Sequence, residues 1–309
     1  MKILITGGAG FIGSNITRGY LEAGHQVAVL DDFSTGKKGN IPDGVPVFRL
    51  SIESPEVANV VREFKPDVVN HHAAQIDVRK SVANPLEDAR INIGGSLNLF
   101  GACVKSGVKK VIFASTGGAI YGEQVFTPAS ESHPTNPTSP YGISKLAVEK
   151  YLQFYQWTYG LSFVALRYSN VYGPRQNPFG EAGVIAIFIH KLLNGEQPII
   201  FGNGLQTRDY IFINDVVTCN LEALKPGVAG INNVGTEIET DLNTLAAQLV
   251  QITKSSTTLV YAAPKAGEQM RSCLKRGILQ HYPLTPLSDG LKKTVEWFKS
   301  NCGIILLTK

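Results

Sequence analysis

Residues 3–13 read Ile-Leu-Ile-Thr-Gly-Gly-Ala-Gly-Phe-Ile-Gly, and the stretch Gly8–Gly13 has the spacing Gly-x-Gly-x-x-Gly. The apolar run before the glycines predicts a β-strand, and the apolar residues Ile12, Ile16 and Tyr20 predict a helix after them. Glycines in a strand–turn–helix allow a pyrophosphate to approach the backbone N–H groups at the helix N-terminus. The segment therefore predicts a dinucleotide site, and the alternative is a glycine-rich turn without a ligand.

Short apolar, β-branched runs alternate with helical patterns through the first half of the chain. The further predicted strands are Gln26–Leu30, Val47–Leu50, Asp67–Asn70, Val111–Ala114 and Phe163–Leu166, and the predicted helices are Glu56–Phe64, residues 84–105 and residues 141–158. Ser54 and Pro55 are typical of an N-cap and a first helical position. Strands that are apolar on both faces and separated by helices predict an α/β fold with a doubly wound parallel sheet.

The pattern changes after about residue 168, where glycine and proline become more frequent and the spacing of the elements becomes irregular. Two amphipathic helices follow, at Leu242–Ile252 and Ser288–Phe298. We expect residues 1–168 to form the dinucleotide-binding domain. Residues 169–309 should form mainly a smaller C-terminal lobe, with some segments returning to the main sheet. This lobe should lie at the carboxyl ends of the strands, where open α/β sheets bind ligands.

The composition excludes several classes of protein. Of the 309 residues, 43% are hydrophobic, which allows a sizeable core, and the basic residues behind the net charge of +4 are too scattered for a nucleic-acid surface. The four cysteines lie far apart, which indicates neither disulfides nor a metal site and favours a reducing cytoplasm. No stretch approaches the ~18 apolar residues of a membrane helix. The N-terminal apolar run is also too short for a secretory signal.

Asp31 ends the second predicted strand, about 20 residues after the glycine loop. A carboxylate at this place accepts hydrogen bonds from the adenosine ribose hydroxyls and repels a 2′-phosphate. NAD is therefore expected rather than NADP. Lys37 and Lys38 weaken this expectation because they could bind a phosphate, and Asp32 could be a surface acid.

Tyr141 and Lys145 lie four residues apart at the start of a predicted helix, so they share one helix face. A phenol with an ordinary pKa of about 10 is a poor base at neutral pH. A nearby ammonium and a positively charged nicotinamide ring both favour the phenolate. The pair predicts proton transfer by Tyr141, and the alternative is two ordinary residues on a helix surface.

Five segments follow one another in a characteristic order: Thr6–Gly13, Ser115–Gly122, Tyr141–Lys145, Leu166–Pro174 and Gln206–Tyr210. Over essentially its full length the chain resembles the extended short-chain dehydrogenase/reductase family. Within that family, Asp31–Gly36 and His72–Gln75 are most similar to the UDP-glucose (UDP-galactose) 4-epimerases. The resemblance implies a Rossmann-like NAD-binding domain, a nucleotide-sugar-binding lobe and a homodimer.

The resemblance also implies the reaction, which is NAD-dependent epimerisation of a UDP-sugar at C4 through a transient 4-keto intermediate. Tyr141 would take the proton of the 4-hydroxyl while hydride passes from C4 to NAD, and hydride would return to the other face of the turned sugar. The implied catalytic residues are Tyr141, Lys145 and Thr116. The implied NAD-binding residues are Gly7, Gly10, Phe11, Ile12, Gly13, Asp31, Asp32, Phe33, Ser34, Thr35, Gly36, Ser51, Ile52, His72, Ala73, Ala74, Gln75, Asn92, Ser115, Tyr141, Lys145 and Tyr168. The implied substrate-binding residues are Thr116, Asn170, Val184, Phe201, Arg208, Lys265, Glu268 and Ser272.

The sequence departs from the family's pattern at three positions. Gly117 stands where the family usually has a Ser or Thr beside the sugar 4-oxygen, so either the neighbouring Thr116 or a water supplies that hydroxyl, or turnover is altered. Ser51 stands where an Asp commonly contacts adenine. Lys265 replaces an Arg that commonly binds the diphosphate, and a lysine keeps the charge but loses the bidentate geometry.

Several related activities remain as alternatives. The Asp-Glu pair that nucleotide-sugar 4,6-dehydratases carry is replaced here by Gly118-Ala119, and the Glu of decarboxylating relatives is absent. A 4-ketoreductase remains, although it would favour NADPH, against Asp31. An NAD-binding regulator without chemistry is a further alternative, against which the intact Tyr141 and Lys145 argue.

Two finer expectations concern the partner and the sugar. A homodimer would form through the helices near 84–105 and 141–158, and the candidate contacts are Leu97, Phe100, Val104, Leu152, Tyr155 and Tyr159; packing within the monomer core is an equal alternative. In the epimerases that the chain resembles, the residue seven positions beyond the diphosphate-binding basic residue closes the sugar pocket beside C2. Counted from Lys265 that residue is Ser272, and the resemblance implies that its small side chain would leave room for an N-acetyl group. The chain is therefore expected to accept N-acetylated UDP-sugars as well, unless Ser272 lies on an ordinary exposed strand.

Overall fold

The computed structural model describes residues 1–179, 183–264, 267 and 269–301. Within these residues the central element is a parallel sheet of seven strands: β1 (Lys2–Thr6), β2 (Gln26–Asp31), β3 (Val47–Arg49), β4 (Val68–His71), β5 (Lys110–Thr116), β6 (Ser162–Tyr168) and β11 (Gly230–Val234). The strand order across the sheet is β11-β6-β5-β4-β1-β2-β3, and each neighbouring pair is parallel. The chain order reverses at β1, which makes the sheet doubly wound, as the sequence predicted.

Helices cover both faces of this sheet. The α-helices of the described residues are α1 (Phe11–Glu22), α2 (Val57–Phe64), α3 (Val78–Ala83), α4 (Pro85–Ala89), α5 (Gly95–Lys105), α6 (Gly117–Ile120), α7 (Pro140–Tyr159), α8 (Val184–Leu193), α9 (Ile213–Ala223), α10 (Leu242–Thr253) and α11 (Leu287–Ser300). The sheet itself is covered by α1 and α9 on one face and by α2, α5 and α7 on the other. Alternate side chains of β1 enter opposite cores, because successive strand residues point to opposite faces. Ile3 and Ile5 pack with α1 and α9, whereas Leu4 packs with α2, α5 and α7.

The C-terminal half adds three small sheets beside the main one. Their strands are β7 (Asn170–Tyr172), β8 (Ile199–Phe201), β9 (Thr207–Arg208), β10 (Tyr210–Phe212), β12 (Thr240–Asp241), β13 (Val260–Ala262) and β14 (Arg271–Ser272). β10 pairs with β7, β13 pairs with β8, and β9 lies between β12 and β14. In the part of the chain that the structure describes, none of the helices combines the length and the apolar character that a membrane span requires.

Two local predictions need correction. The predicted helix Glu56–Phe64 begins at Val57, and Ser54 does not cap it, because the Ser54 hydroxyl bonds the Glu56 carboxylate within a preceding turn. The predicted helix over residues 84–105 is interrupted by a π-helical turn at Arg90–Gly94. Such turns place one extra residue in a helix and often occur at functional sites.

The residues expected at a dimer interface lie partly in the monomer core. Phe100 and Leu152 are fully buried in the core between α5, α7 and the sheet, so for these two residues the alternative of packing within the monomer holds. Leu97, Val104 and Tyr155 also pack against this core. Tyr159 is exposed.

A buried ion pair joins α7 to the sheet. Arg167 on β6 donates two hydrogen bonds to Glu149 on α7, from Nε to Oε1 at 2.9 Å and from Nη2 to Oε2 at 2.6 Å. Arg167 is 3% exposed and Glu149 is 0% exposed. Ser115 on β5 donates a third bond to Glu149, and Arg167 also donates to the Tyr121 hydroxyl. Because Glu149 is on α7 and its hydrogen-bond partners are on β5 and β6, the pair fixes the height and rotation of α7 on the sheet.

Substituting Arg167→Met should lower the free energy of unfolding by about 3–5 kcal/mol, because it leaves a buried carboxylate without its counter-charge. Denaturant titration should show a lower midpoint with an unchanged slope. Combining Arg167→Met with Glu149→Leu should recover much of the loss. Arg271→Met, which breaks the exposed Arg271–Glu239 pair, is the matched control and should leave the midpoint almost unchanged. A wild-type midpoint in the Arg167 variant would contradict the role given to the pair.

Candidate active site

The predicted site residues gather at one edge of the main sheet, because the carboxyl ends of parallel strands meet there. The chain segments that follow β1 to β6 in turn are Gly7–Gly13, Asp31–Gly36, Ser51–Ile52, His72–Gln75, Thr116–Gly117 and Tyr168–Asn170. The segment 141–145 lies in the first turns of α7, which packs against β5 and β6. The sheet therefore brings together residues that are far apart in the sequence.

The glycine turn leaves its backbone open to a ligand. Gly7 has a φ of +70°, and a Cβ there would lie 2.6 Å from the Ala73 backbone nitrogen. A Cβ on Gly13 would collide with the Gly7 carbonyl. Gly10 is the N-cap residue of α1 and makes no side-chain capping bond. The first amides of the helix, at Phe11 and Ile12, are therefore not bonded by a capping side chain. A turn of this shape, at a helix N-terminus, fits the pyrophosphate of a dinucleotide.

Asp31 lies buried at the end of β2 beside the glycine turn. Its carboxylate accepts the Ala9 amide at 2.9 Å and the Phe33 amide at 2.8 Å. Burial raises the pKa of Asp31, and the two amides oppose that rise. Asp32 is exposed instead and accepts two bonds from Ser34. Asp31 is thus the carboxylate that is held in place, with Gly36 packed against it.

The remaining residues of the predicted adenosine end have separate surroundings. Phe33 adopts a φ of +61°, and the Arg49 guanidinium lies over its ring at 5.8 Å from the centroid. Thr35 is exposed. Ser51 accepts the Glu53 amide, and Ile52 is buried against Gly95. Ser51 stands where an aspartate is common in the family, and its hydroxyl oxygen accepts a hydrogen bond within its own loop.

The segment His72–Gln75 is fixed by polar contacts on both sides. The Ala73 amide donates to the Thr6 hydroxyl at 3.2 Å, and Ala74 follows it. Asn92, in the π-helical turn, accepts the Gln75 amide at 2.8 Å and donates to the Gln75 carbonyl at 2.9 Å. The Asn92 side chain therefore shapes the loop at this edge.

His72 and Tyr168 form a stacked pair at the carboxyl ends of β4 and β6. Their ring centroids are 6.0 Å apart with an interplanar angle of 23°, and the His72 Nε2 lies 3.3 Å from the Tyr168 hydroxyl. Burial lowers the pKa of His72 to about 3, so the ring is neutral. Its Nδ1 is buried and has no hydrogen-bond partner among the described residues. The pair forms a neutral, largely apolar wall beside the glycine turn.

Tyr141 and Lys145 face the same space from the first two turns of α7. The Lys145 Nζ lies 5.8 Å from the centre of the Tyr141 ring and donates to the Ala114 carbonyl at 2.9 Å. Burial lowers the pKa of Lys145 to about 8, and the Asp88 and Glu149 carboxylates oppose this. Burial raises the pKa of Tyr141, and Asp88 raises it further. Tyr141 therefore needs the Lys145 ammonium, or another cation, to become a phenolate.

The turn after β5 explains why no hydroxyl stands at position 117. A Cβ at Gly117 would collide with the side chain of Leu274, which is itself fully buried. Thr116 is the adjacent hydroxyl, and its Oγ1 accepts the Ala119 amide at 3.3 Å as the N-cap of α6. That long bond leaves the Thr116 hydroxyl hydrogen available to another acceptor.

Several residues of the site were missed by sequence reasoning. Glu149 is one of them, and it accepts the hydroxyl of Ser115, a predicted cofactor contact, at 2.6 Å. Glu149 follows Tyr141 and Lys145 at the next i+4 position, so a third polar residue on that helical stripe was the available signal. Asp88 and Ser144 are also buried here, and nothing in their local sequence distinguishes them from surface residues.

The small sheet around β9 carries two of the predicted substrate residues, Arg208 and Ser272. Ser272 on β14 pairs with Arg208 on β9, and Ser272 is 1% exposed, so it does not lie on an exposed strand. Asn170 begins β7 and is exposed just beyond Tyr168, opposite Tyr210 on β10. Asp209 connects the two strands, because it follows Arg208 of β9 in the chain and its carbonyl accepts the Asn170 amide at 2.9 Å.

Asp209 anchors that region. Its buried carboxylate accepts bonds from the amide and hydroxyl of Thr236 and from the Leu274 amide. Burial raises the pKa of Asp209 to about 6, although these donors oppose the rise. Leu274 is the residue packed on Gly117, so Asp209 links the Arg208 strand to the turn after β5.

Other predicted substrate residues are less closely gathered. Val184 opens α8, and Phe201 ends β8; both are partly buried. Lys265 and Glu268 lie outside the described residues, so the expected basic contact to the diphosphate has no structural account here.

Comparison with known proteins places these features in a family. The model of the NAD dependent epimerase/dehydratase family matches residues 3–235. A putative UDP-glucose 4-epimerase of Methanocaldococcus jannaschii is 43% identical over 302 residues, which cover 97% of this chain and 99% of the relative.

Two solved structures extend the similarity to the fold. UDP-glucose 4-epimerase of Thermotoga maritima with UDP-glucose is 44% identical, with a TM-score of 0.95 over 98% of this chain and 100% of that one. UDP-glucose 4-epimerase of Thermus thermophilus in complex with NAD is 42% identical, with a TM-score of 0.92 over 97% and 99% of the two chains. The glycine turn, the Tyr141–Lys145 pair and these matches lead to one conclusion: the chain belongs to the NAD-dependent epimerase/dehydratase family.

Proposed function

We propose that this protein is an isomerase that epimerises UDP-sugars at C4, with UDP-glucose and UDP-galactose as the basic pair of substrates and NAD as its cofactor. One observation carries the proposal. A Tyr–Lys pair, in which Tyr141 is half-buried and Lys145 is buried, faces the carboxyl edge of the sheet where the glycine turn and Asp31 also lie. The similarity to UDP-glucose 4-epimerases over nearly the full length of both chains supports the same activity.

NAD fits the residues at this edge. The amides of the Gly7–Gly13 turn would hold the pyrophosphate, Asp31 the adenosine ribose, and Lys145 the nicotinamide ribose. When bound, NAD would accept a hydride from the sugar C4 and return it to the opposite face. An NADPH-dependent ketoreductase is disfavoured, because the fixed carboxylate of Asp31 would repel a 2′-phosphate.

The protein's own contribution is proton transfer and electrostatic support. Tyr141 would remove the proton of the 4-hydroxyl and return it to the oxygen after the sugar turns over. The Lys145 ammonium, held by the Ala114 carbonyl, would stabilise the phenolate. Thr116 would hydrogen-bond the sugar 4-oxygen, since position 117 cannot hold a side chain without moving Leu274.

The substrate lobe, residues 169–309 apart from the returning strand β11, would bind the UDP moiety. Arg208 would hold the diphosphate through its guanidinium, which suits phosphate because it donates two bonds at once. Asn170, Val184 and Phe201 would complete the contacts to the nucleotide. The position of Ser272 beside Arg208 supports a pocket with room at the sugar C2.

We further propose a homodimer formed through α7 and the helices at 85–105. The support is a row of exposed aromatic side chains on α7, namely Tyr151, Phe154 and Trp157, the last of which is 84% exposed. A row of exposed aromatic side chains on one helix is unusual in a monomer and indicates a surface that a partner covers.

We place the protein in the cytoplasm on the basis of its thiols. Cys103, Cys219 and Cys273 are buried and free in the described part of the chain. Burial raises the pKa of Cys103 to about 12 and raises that of Cys273 to a similar value, so these thiols are inert packing residues. Unpaired cysteines of this kind are common where glutathione keeps thiols reduced.

The direct test of the activity is incubation with a panel of UDP-sugars, followed by product separation without added NAD. The purified protein should interconvert UDP-glucose and UDP-galactose. Tyr141→Phe should lower kcat by a factor of ~10²–10⁴, the usual contribution of a general base, and should leave the fold unchanged because only one hydroxyl is lost. Tyr151→Phe, on the exposed side of the same helix, is the matched control. Turnover of the Tyr141 variant within a few-fold of the wild type would contradict the assignment of the base.

Cofactor choice should depend on Asp31 and not on its neighbour. Asp31→Ala should reduce the preference for NAD over NADP by roughly tenfold or more, since it removes a charge-assisted contact worth about 1.5–3 kcal/mol and a repulsion of the 2′-phosphate. Asp32→Ala should leave the ratio of the two dissociation constants unchanged, because that carboxylate faces solvent. Equal effects of both substitutions, or tighter binding of NADP by the wild type, would show that Lys37 or Lys38 decides instead.

The size of the sugar pocket should depend on Ser272. The wild type should turn over UDP-GlcNAc and UDP-GalNAc as well as the smaller pair. Ser272→Tyr should suppress the N-acetyl reaction by filling the space at C2, whereas Ser272→Ala should preserve both reactions. The informative quantity is the ratio of the two kcat/KM values. If the tyrosine variant keeps the wild-type ratio, the gate lies elsewhere.

A further inference from the structure

A buried carboxylate outside the Tyr141–Lys145 pair lies next to it. Asp88, at the end of α4, is 1% exposed. Its Oδ1 accepts the side-chain amides of Gln75 at 2.9 Å and Asn92 at 3.0 Å, and its Oδ2 accepts the Ser144 hydroxyl at 2.6 Å. These three donors are neutral, and a buried carboxylate is costly unless hydrogen bonds or nearby charge offset its desolvation.

The three donors come from three different parts of the site. Gln75 belongs to the loop after β4, Asn92 to the π-helical turn, and Ser144 to α7. Ser144 is the residue immediately before Lys145 and three after Tyr141, so a bond from Ser144 to a fixed acceptor sets the rotation of α7 about its axis. Asp88 thereby connects the cofactor side of the site to the helix that carries the base.

The charge of Asp88 acts on the same pair. The titratable groups around the Tyr141–Lys145 pair are Glu149 from α7, Asp88 from α4, and His71 and His72 from β4 and the residue after it; Asp88 acts on both members and the others on Lys145. Both histidines are neutral because burial lowers their pKa. Burial lowers the pKa of Lys145 to about 8, and the Asp88 charge opposes this change and favours the protonated ammonium. The same charge raises the pKa of Tyr141.

We propose that Asp88 is a positioning residue for the epimerisation, which holds α7 in register through Ser144 and supplies the negative charge that balances the buried Lys145 ammonium. The inference rests on the proposed function, since it gives Tyr141 and Lys145 their catalytic roles. Asp88 is buried and its hydrogen bonds go to protein side chains. Its effect on the reaction passes through the two residues of α7.

Asp88→Asn separates the charge from the hydrogen bonds. The amide oxygen can still accept from Gln75 and Asn92, and the amide nitrogen can donate to the Ser144 oxygen, so all three contacts can persist without the charge. Ser144→Ala is the opposite change: it removes one contact and keeps the charge. Asp88→Ser is a second charge-removing variant in case the asparagine destabilises the fold.

The sign of the expected shift follows from the directions of the two pKa changes. Without the Asp88 charge, Lys145 loses its proton at a lower pH, so the limb of the rate profile that falls with rising pH moves to lower pH. Tyr141 also ionises at a lower pH, so the rising limb moves in the same direction. The whole kcat profile of Asp88→Asn should move to lower pH by about one pH unit, the usual effect of one nearby charge. Ser144→Ala should lower the profile without moving it.

The second readout does not depend on turnover. Phenolate formation by Tyr141 is followed by ultraviolet difference absorbance in the protein as purified, each variant being measured against its own Tyr141→Phe counterpart. The midpoint should fall by about one pH unit in Asp88→Asn and Asp88→Ser and stay in place in Ser144→Ala. Unmoved midpoints in both Asp88 variants, or an equal shift in Ser144→Ala, would overturn the proposal. If the wild type turns over no UDP-sugar, the proposed function fails, and this titration still decides the role of Asp88.

Discussion

The site depends on one steric constraint, the close approach of the first β-strand's turn to the loop after β4. Gly7 leaves no room for a side chain against the backbone of His72 and Ala73, and Gly13 leaves none against the Gly7 carbonyl. The Thr6 hydroxyl accepts a hydrogen bond from the Ala73 amide and so holds the two segments together. Because both backbones meet here, the amides that would hold a pyrophosphate and the wall formed by His72 occupy one edge of the sheet.

Local motifs made part of this architecture predictable. The glycine spacing, Asp31 at the strand end and the Tyr141–Lys145 interval are each determined by a few neighbouring residues, because a turn, a strand end and one helix face are local structures. The doubly wound sheet also followed from the alternation of apolar runs and helical patterns. These features can be predicted without knowing which residues from distant parts of the sequence are in contact.

The polar residues behind the site were not predictable in the same way. Asp88, Glu149 and Arg167 are charged residues whose burial depends on partners elsewhere in the sequence, such as Gln75 for Asp88. Sequence patterns place such residues on the surface, since charged groups are seldom buried without a partner. The π-helical turn at Arg90–Gly94 was missed for a similar reason, because it exists where Asn92 must reach the Gln75 loop. For Phe100 and Leu152 the sequence left a dimer interface and the monomer core as equal alternatives, because an apolar helical stripe does not identify the surface that covers it.

The electrostatic balance at Tyr141 joins these buried residues to the proposed chemistry. Burial alone favours a protonated phenol at Tyr141 and a neutral amine at Lys145. A tyrosine base needs the opposite state of each group, a phenolate beside an ammonium. Carboxylates at Asp88 and Glu149 keep the ammonium charged, and that ammonium together with a cationic nicotinamide ring would stabilise the phenolate. Asp88 and Glu149 thus favour the charged form of Lys145, whereas Asp88 also raises the pKa of Tyr141, so the phenolate depends on the ammonium and on the nicotinamide ring.

Hydride return within one bound complex is the central claim, and an isotope experiment tests it most directly. UDP-galactose that carries deuterium at C4 is incubated with the purified protein without added nucleotide, and the UDP-glucose formed is analysed by mass spectrometry and NMR. The account predicts conversion with the deuterium retained at C4 of the product. No conversion, or a product in which the C4 deuterium has been replaced by hydrogen from the solvent, would contradict it.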